Sequence, residues 1–151
     1  MVFQRVKTPC VGICSTGIGD QVCRGCKRFN HEVIQWNSYS NEQRRIIDTR
    51  LQNFLAQTVA NKIEITDRSL LASQLKHQQI NFDVDRNPYC WVVNLLNAGA
   101  SQIEDISQYG LKVLSKYDHF NLIDLKKLID QDYYTLSCAH YERYFFPVEI
   151  D

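Results

Sequence analysis

No stretch of this 151-residue chain is apolar for long enough to cross a bilayer. The most apolar segment, Trp91-Val92-Val93-Asn94-Leu95-Leu96, falls far short of the roughly 20 residues a spanning helix needs. Met1 to Lys7 lack the apolar run of a signal peptide. The expectation is a soluble, cytoplasmic protein with no membrane attachment. Internal repeats and low-complexity tracts are missing, which excludes solenoid and compositionally biased architectures. The signatures of common chemistries are missing too: there is no G-x-S-x-G, no H-E-x-x-H, no phosphate-cradling glycine loop and no dinucleotide fingerprint. A binding role is therefore expected ahead of an enzymatic one.

An overall excess of charge of either sign is absent as well, since the formal net charge is zero. The two halves differ, however. Residues 1–62 carry nine Lys/Arg against four Asp/Glu, and residues 63–151 carry eight against thirteen. Such asymmetry suits a basic docking surface beside an acidic body, or two halves that attract each other.

What the chain does have is cysteine in one place. Cys10, Cys14, Cys23 and Cys26 fall within seventeen residues as C-x-x-x-C, an eight-residue loop, and C-x-x-C. Two close pairs joined by a short loop can bring four thiolates onto one tetrahedral ion or one small cluster. The loop Ser15-Thr16-Gly17-Ile18-Gly19-Asp20 is rich in turn residues. Gly25 lets the backbone curl so that amide N–H groups point at sulfur. Two disulfides could use the same cysteines, but nothing marks the chain as secreted. A thioredoxin-type pair would need a helix start near a βαβ pattern, which is not there. The four cysteines are expected to form one metal site, with Cys90 and Cys138 outside it as buried thiols. Cys138 and His140 project about 200° apart on a helix, which is wrong for one ion. Four thiolates suit zinc directly, and the spacing matches neither ferredoxin pattern, so zinc is the expected metal and an iron–sulfur cluster the alternative.

Pro9, Cys10, Gly12, Ile13, Cys14, Cys23, Gly25, Cys26, Arg28, Glu32 and Trp36 together make P-C-x-x-x-C, C-x-G-C-x-R and E-x-x-x-W. This pattern resembles the small bacterial family known as domain of unknown function 1289, and the resemblance runs to about Gln57. Members are described as predicted iron–sulfur proteins without an assigned role. The resemblance thus implies a four-cysteine metal site and no activity, and it implies nothing for residues from about Val59 onward.

The remaining chain reads as mainly helical: a metal-bound N-terminal loop, then five or six helices with two or three short strands. A module of residues 1–60 and a helical domain of residues 61–151 are expected. Asn30 can cap a helix from His31 to about Asn37, with Val33, Ile34 and Trp36 on its apolar side. Trp36 is expected to pack over the metal loop. Ser40 and Gln43 form a capping box for a helix to about Thr58. On that helix Ile47, Leu51, Phe54, Leu55 and Thr58 make an inward stripe, while Arg45, Thr49, Gln52 and Ala56 face water. Ile63–Ile65 and Ile80–Val84 alternate as strands do. Asp67 caps one helix, and Asn87-Pro88 starts another that stops at Gly99. Ser101 and Glu104 form a second capping box for a helix through Ile106, Val113 and Tyr117. A further helix is expected to start at Asn121 to Asp124, with Leu125, Leu128 and Ile129 inward, and a last one to begin at Asp132, with an edge strand over Phe145–Ile150.

Three functions follow. The first is a structural zinc site in an interaction or adaptor module whose partner is another protein. The second is an iron–sulfur protein in electron transfer or redox sensing. The third is a zinc-finger-like nucleic-acid binder using Lys27, Arg28, Arg44, Arg45 and Arg50, the weakest because Arg45 and Arg50 lie about 140° apart on their helix. At the tyrosine-rich end, Asp130, Asp132 and Glu142 also argue against nucleic acid.

Overall fold

The computed structural model describes residues 6–145. The chain is mainly helical, with α1 (Asn30–Gln35), α2 (Asn41–Ala60), α3 (Arg68–His77), α4 (Pro88–Gly99) and α5 (Leu122–Phe145), and one two-stranded sheet of β1 (Ile63–Ile65) and β2 (Leu111–Val113). Four 3-10 turns punctuate the described residues. The described residues divide into two compact units. One holds those up to Phe54 and from Tyr133 onward, and the other is Leu55–Asp132. The expected boundary at residue 60 thus sits six residues into the second unit, and the last part of α5 joins the cysteine segment rather than its own neighbours in sequence.

The second unit has a conventional apolar core. Val59, Ile63, Leu71, Leu75, Trp91, Val92, Leu95, Leu96, Leu111, Leu125 and Ile129 are buried together. The local start signals work as expected: the Asp67 carboxylate accepts from Leu70 N at 3.0 Å, and Asn87 Oδ1 accepts from Tyr89 N at 3.0 Å ahead of Pro88. Lys62 is buried, and its ammonium donates to Thr58 O at 3.0 Å and Asn61 Oδ1 at 2.9 Å and pairs with Asp132 at 2.9 Å.

Three expectations in this unit are corrected. Ile80–Val84 forms no strand; β1 pairs instead with β2, antiparallel, with Ile63 opposite Val113 and Ile65 opposite Leu111. The helix expected from Ser101 to Tyr117 is replaced by a 3-10 turn (Ile106–Tyr109), β2, and a second 3-10 turn (Ser115–Tyr117). Gly110 is the cause. It sits at φ 71°, its carbonyl accepts from Thr66 N and Asp67 N, and a Cβ there would collide with Asp67 O. The two C-terminal helices are one: α5 runs unbroken through Asp132, whose carboxylate answers Lys62 instead of capping a helix start. The strand expected over residues 145–150 lies outside the described residues except for Phe145, which ends α5.

The first unit carries two small apolar clusters. Val22, Phe29 and Tyr141 form one, flanked by Tyr134 and Cys138; Trp36, Ile47 and Leu51 form the other, flanked by Val6 and Tyr39. The Ser40 capping box is formed in both directions, with Ser40 N donating to Gln43 Oε1 at 2.8 Å and Gln43 N to Ser40 Oγ at 3.1 Å. Asn30 is not the cap of α1. Glu32 closes the start of that helix instead, its Oε1 accepting from Phe29 N at 2.8 Å. Ile34, expected on the apolar side of α1, is exposed. In the second unit, Ala56 of α2 is buried where a water-facing position was expected.

Candidate metal centre

The segment Cys23-Arg24-Gly25-Cys26-Lys27-Arg28 folds into a tight knuckle. Lys27 N donates to Cys23 O at 2.8 Å and Cys23 N to Arg28 O at 2.9 Å, and Val22 bridges Phe29 across the base. Closing it puts Lys27 at φ 66°, a conformation that side chains other than glycine and asparagine seldom adopt. The turn directs backbone N–H groups inward. Those of Cys26, Ser15 and Gly25 face the Cys23 sulfur. Burial pushes that thiol up, but these donors and the Cys26 side chain outweigh it and bring it down to about 7. Cys26 goes the other way: burial raises it, and the Arg28 side chain and backbone N–H offset this only in part. Arg28 Nε donates to Cys26 Sγ at 3.2 Å.

The first cysteine pair lies against this knuckle. A Cβ on Gly25 would collide with Ile13 O and stand 2.9 Å from Val11 Cγ2, so the chain between Cys10 and Cys14 passes where only glycine leaves room. Cys23 Sγ donates to Ile13 O at 3.4 Å, and Arg24 N donates to Ser15 Oγ at 2.8 Å. Gly12 N reaches Cys10 Sγ at 3.4 Å, and Cys14 Sγ shares a hydrogen bond with Thr16 Oγ1 at 3.1 Å. Cys23 and Cys26 are buried, whereas Cys10 and Cys14 are exposed. Among the described residues, no three His, Cys, Asp or Glu side chains stand close enough together to hold an ion. Part of the donor chemistry suits a metal: Cys10 and Cys26 accept from the N–H groups of Gly12 and Arg28, and such donors favour the charged form that ligates, whereas the Cys23 thiol donates to a carbonyl. Cys90 is buried in α4 and Cys138 lies on α5 beside Tyr134.

Around the knuckle the basic residues are used internally. Arg28 and Arg44 place their guanidinium carbons 5.0 and 5.7 Å from the Trp36 ring centre, and Arg44 also donates to Trp36 O and Asn37 O at 2.9 and 3.1 Å. Trp36 therefore serves the knuckle through Arg28. Glu32 takes both terminal nitrogens of Arg50, at 2.6 and 2.7 Å, and Arg50 lies 4.0 Å over the Phe29 ring. Lys27, Arg28 and Arg44 are buried, so of the five cations a nucleic-acid surface would use, Arg45 alone is exposed.

Sequence reasoning missed the role of α5. Tyr133 lies under the Lys27 ammonium, Tyr134 under the Arg24 guanidinium at 4.7 Å, and the Tyr141 hydroxyl shares a hydrogen bond with Gln21 Oε1 at 3.0 Å. The density of tyrosines near the end of the chain was the available signal. No helix of the described residues is long and apolar enough to cross a membrane.

No curated protein and no solved structure matches the chain. A family model does match, over the cysteines, Arg28, Glu32, Trp36 and most of α2. Residues 8–54, about a third of the chain, match the model of the family described as protein of unknown function (DUF1289).

Proposed function

We propose that Cys10, Cys14, Cys23 and Cys26 hold one metal ion, that the ion is a structural zinc, and that the protein works as an interaction module for another protein. The observation that carries this reading is the tight turn from Cys23 to Arg28, with Arg28 Nε donating to the Cys26 sulfur and the chain between Cys10 and Cys14 packed against Gly25 of the same turn. Such donors stabilise thiolates, and thiolates bind soft or borderline ions. The reading requires Cys10 and Cys14 to close onto Cys23 and Cys26 when the ion binds. The burial of Cys23 speaks against a thiol–disulfide exchange role for the C-x-x-C pair, since an attacking thiolate must be reached.

Val11, Ile13 and Ile18 are exposed on the cysteine loop, which supports a protein partner seated there. The internal use of Arg28, Arg44 and Arg50 weighs against nucleic acid. Purification without oxygen, followed by metal and sulfide analysis, tests the assignment. One tightly held zinc per chain and no visible absorbance is expected. A brown protein with matching iron and sulfide would replace zinc with a cluster and the adaptor with a redox role, and a metal-free folded protein would remove the centre altogether.

A further inference from the structure

A cavity of about 800 Å³ lies in the unit Leu55–Asp132, where α3 and α4 end. Its volume is that of a small-molecule site, about 300–1,000 Å³. Six of the twelve residues lining it are carboxamides: Gln78, Gln79, Asn81, Asn94, Asn97 and Gln102. Among these described lining residues none carries a charge, although charged residues make up 23% of the chain. The six carboxamide side chains make no hydrogen bond to another described residue, which leaves their donors and acceptors open to a ligand.

Two positions on this wall go against backbone preference. Gln79 sits at φ 59°, the left-handed conformation in which a helix stop commonly places glycine. Its N–H donates to Lys76 O at 3.1 Å, and the N–H of Ile80 donates to Leu75 O at 2.9 Å, which closes α3. Glycine would close the helix without strain but would bring no carboxamide to the cavity. At Gly99 the mismatch is reversed. Glycine stands there within α4, where most other residues favour helix more, and a Cβ would meet nothing within 4 Å. A side chain has room at Gly99, and glycine leaves that room to the cavity it lines.

We infer that this cavity is a binding site for a neutral saccharide. A phosphate or carboxylate would find no counter-charge among the lining residues. The ends of α3 and α4 at the cavity are the negative ends of their dipoles, which disfavours anions further. A carboxamide holds an oxygen acceptor and an N–H donor side by side, and two adjacent hydroxyls can answer both at once. A saccharide offers a hydroxyl on nearly every ring carbon. A peptide offers one N–H and one C=O per residue, spaced by about 3.3 Å when extended, too few to meet six carboxamides around one cavity. Tyr109 and Ile103 also line the cavity and can take the apolar C–H face of a sugar ring. The site is independent of the proposed metal centre, since every lining residue belongs to Leu55–Asp132.

The full chain, labelled with heavy nitrogen, is titrated with maltotriose, cellotriose, mannotriose and triacetylchitotriose while its side-chain NH2 signals are followed by NMR. Saturable shifts of the lining carboxamide signals are expected with at least one of the four at millimolar concentration. Asn94→Ala should weaken that binding about fivefold, the loss typical of one hydrogen bond. Gly99→Leu should fill the cavity and abolish binding while raising the thermal midpoint, because leucine is the better helix former. Gln79→Gly should likewise raise the midpoint, by relieving the positive φ, and weaken binding. Shifts with none of the four saccharides overturn the inference. So does binding that all three variants retain at wild-type strength, which would put the sugar elsewhere. Saturable shifts of the same signals with acetyl-trialanine amide alone would make the cavity a peptide site and overturn the saccharide.

Discussion

The two units of this protein are held together by different forces. Leu55–Asp132 buries eleven apolar side chains in one cluster, the arrangement by which most domains of its size are stable. Among the described residues, the unit bearing the cysteines has two clusters of three, and its interior is also occupied by Lys27, Arg28, Glu32 and Arg44. Each of these groups is paired: Glu32 with Arg50 and Phe29 N, Arg28 with Cys26, Arg44 with two carbonyls, Lys27 with two more. Such networks give a unit one defined arrangement but contribute modest net energy, because every buried charge has first to be stripped of water. A unit built this way gains most from a bound ion.

That contrast sets the order of expected effects. With the centre loaded, Cys14→Ala should be the most damaging change, since a structural zinc site can contribute on the order of 10–16 kcal/mol of apparent binding energy. Hydrogen exchange should show lost protection around Val33 and Trp36 and intact protection in α3 and α4; unchanged protection at Trp36 would mean that the paired charges suffice alone. Next comes Arg50→Met, which leaves the Glu32 carboxylate buried without its main partner and should cost about 3–5 kcal/mol, read by denaturant unfolding. A cost near zero would mean water reaches Glu32. Leu95→Ala in the apolar unit should cost about 2–5 kcal/mol and leave metal affinity unchanged; a coupled loss of metal would break the distinction between the two units.

The smallest effect is on pH. His140, packed on Phe29 and Phe54, has its pKa lowered below the ordinary 6.5, by burial first and then by the Arg50 charge. The unfolded chain therefore takes up the proton before the folded one does. Stability contributed by the neutral ring is complete above about pH 6.5 and falls as pH drops from there toward the lowered value. Unfolding midpoints measured across pH 5–8 should show this slope in wild type and a flatter curve in His140→Phe; parallel curves would remove His140 from the balance.

Local signals carried the sequence reading well. The Ser40 box, the Asp67 cap and Asn87-Pro88 each depend on residues within four positions, and all three stand. Two of the failures came where a distant residue decided. Gly110 breaks the expected helix because it must fit against Asp67, forty-three positions earlier, and Asp132 stays inside α5 because Lys62 is there to meet it. At the candidate centre, the curl at Gly25 was legible from the sequence. The burial of the basic residues was not, because charge counts say nothing of where an arginine points, and Glu32 finds Arg50 eighteen residues away. The tyrosines of α5 were still harder, being more than a hundred positions from the knuckle they cover.

That last distance has a consequence for how the protein is made. Gln21 and Tyr141 are 120 residues apart, yet they close the same side of the cysteine unit. At about 5–20 residues per second, the ribosome delivers Tyr133, Tyr134 and Tyr141 on the order of ten seconds after the knuckle has emerged. For that interval Gln21, Arg24 and Lys27 stand without the tyrosines of α5 that later meet them. If the proposed ion binds, its passage is easiest then, while the chain is still being synthesised. Metal supplied during translation and metal supplied to the finished protein should accordingly load at different rates.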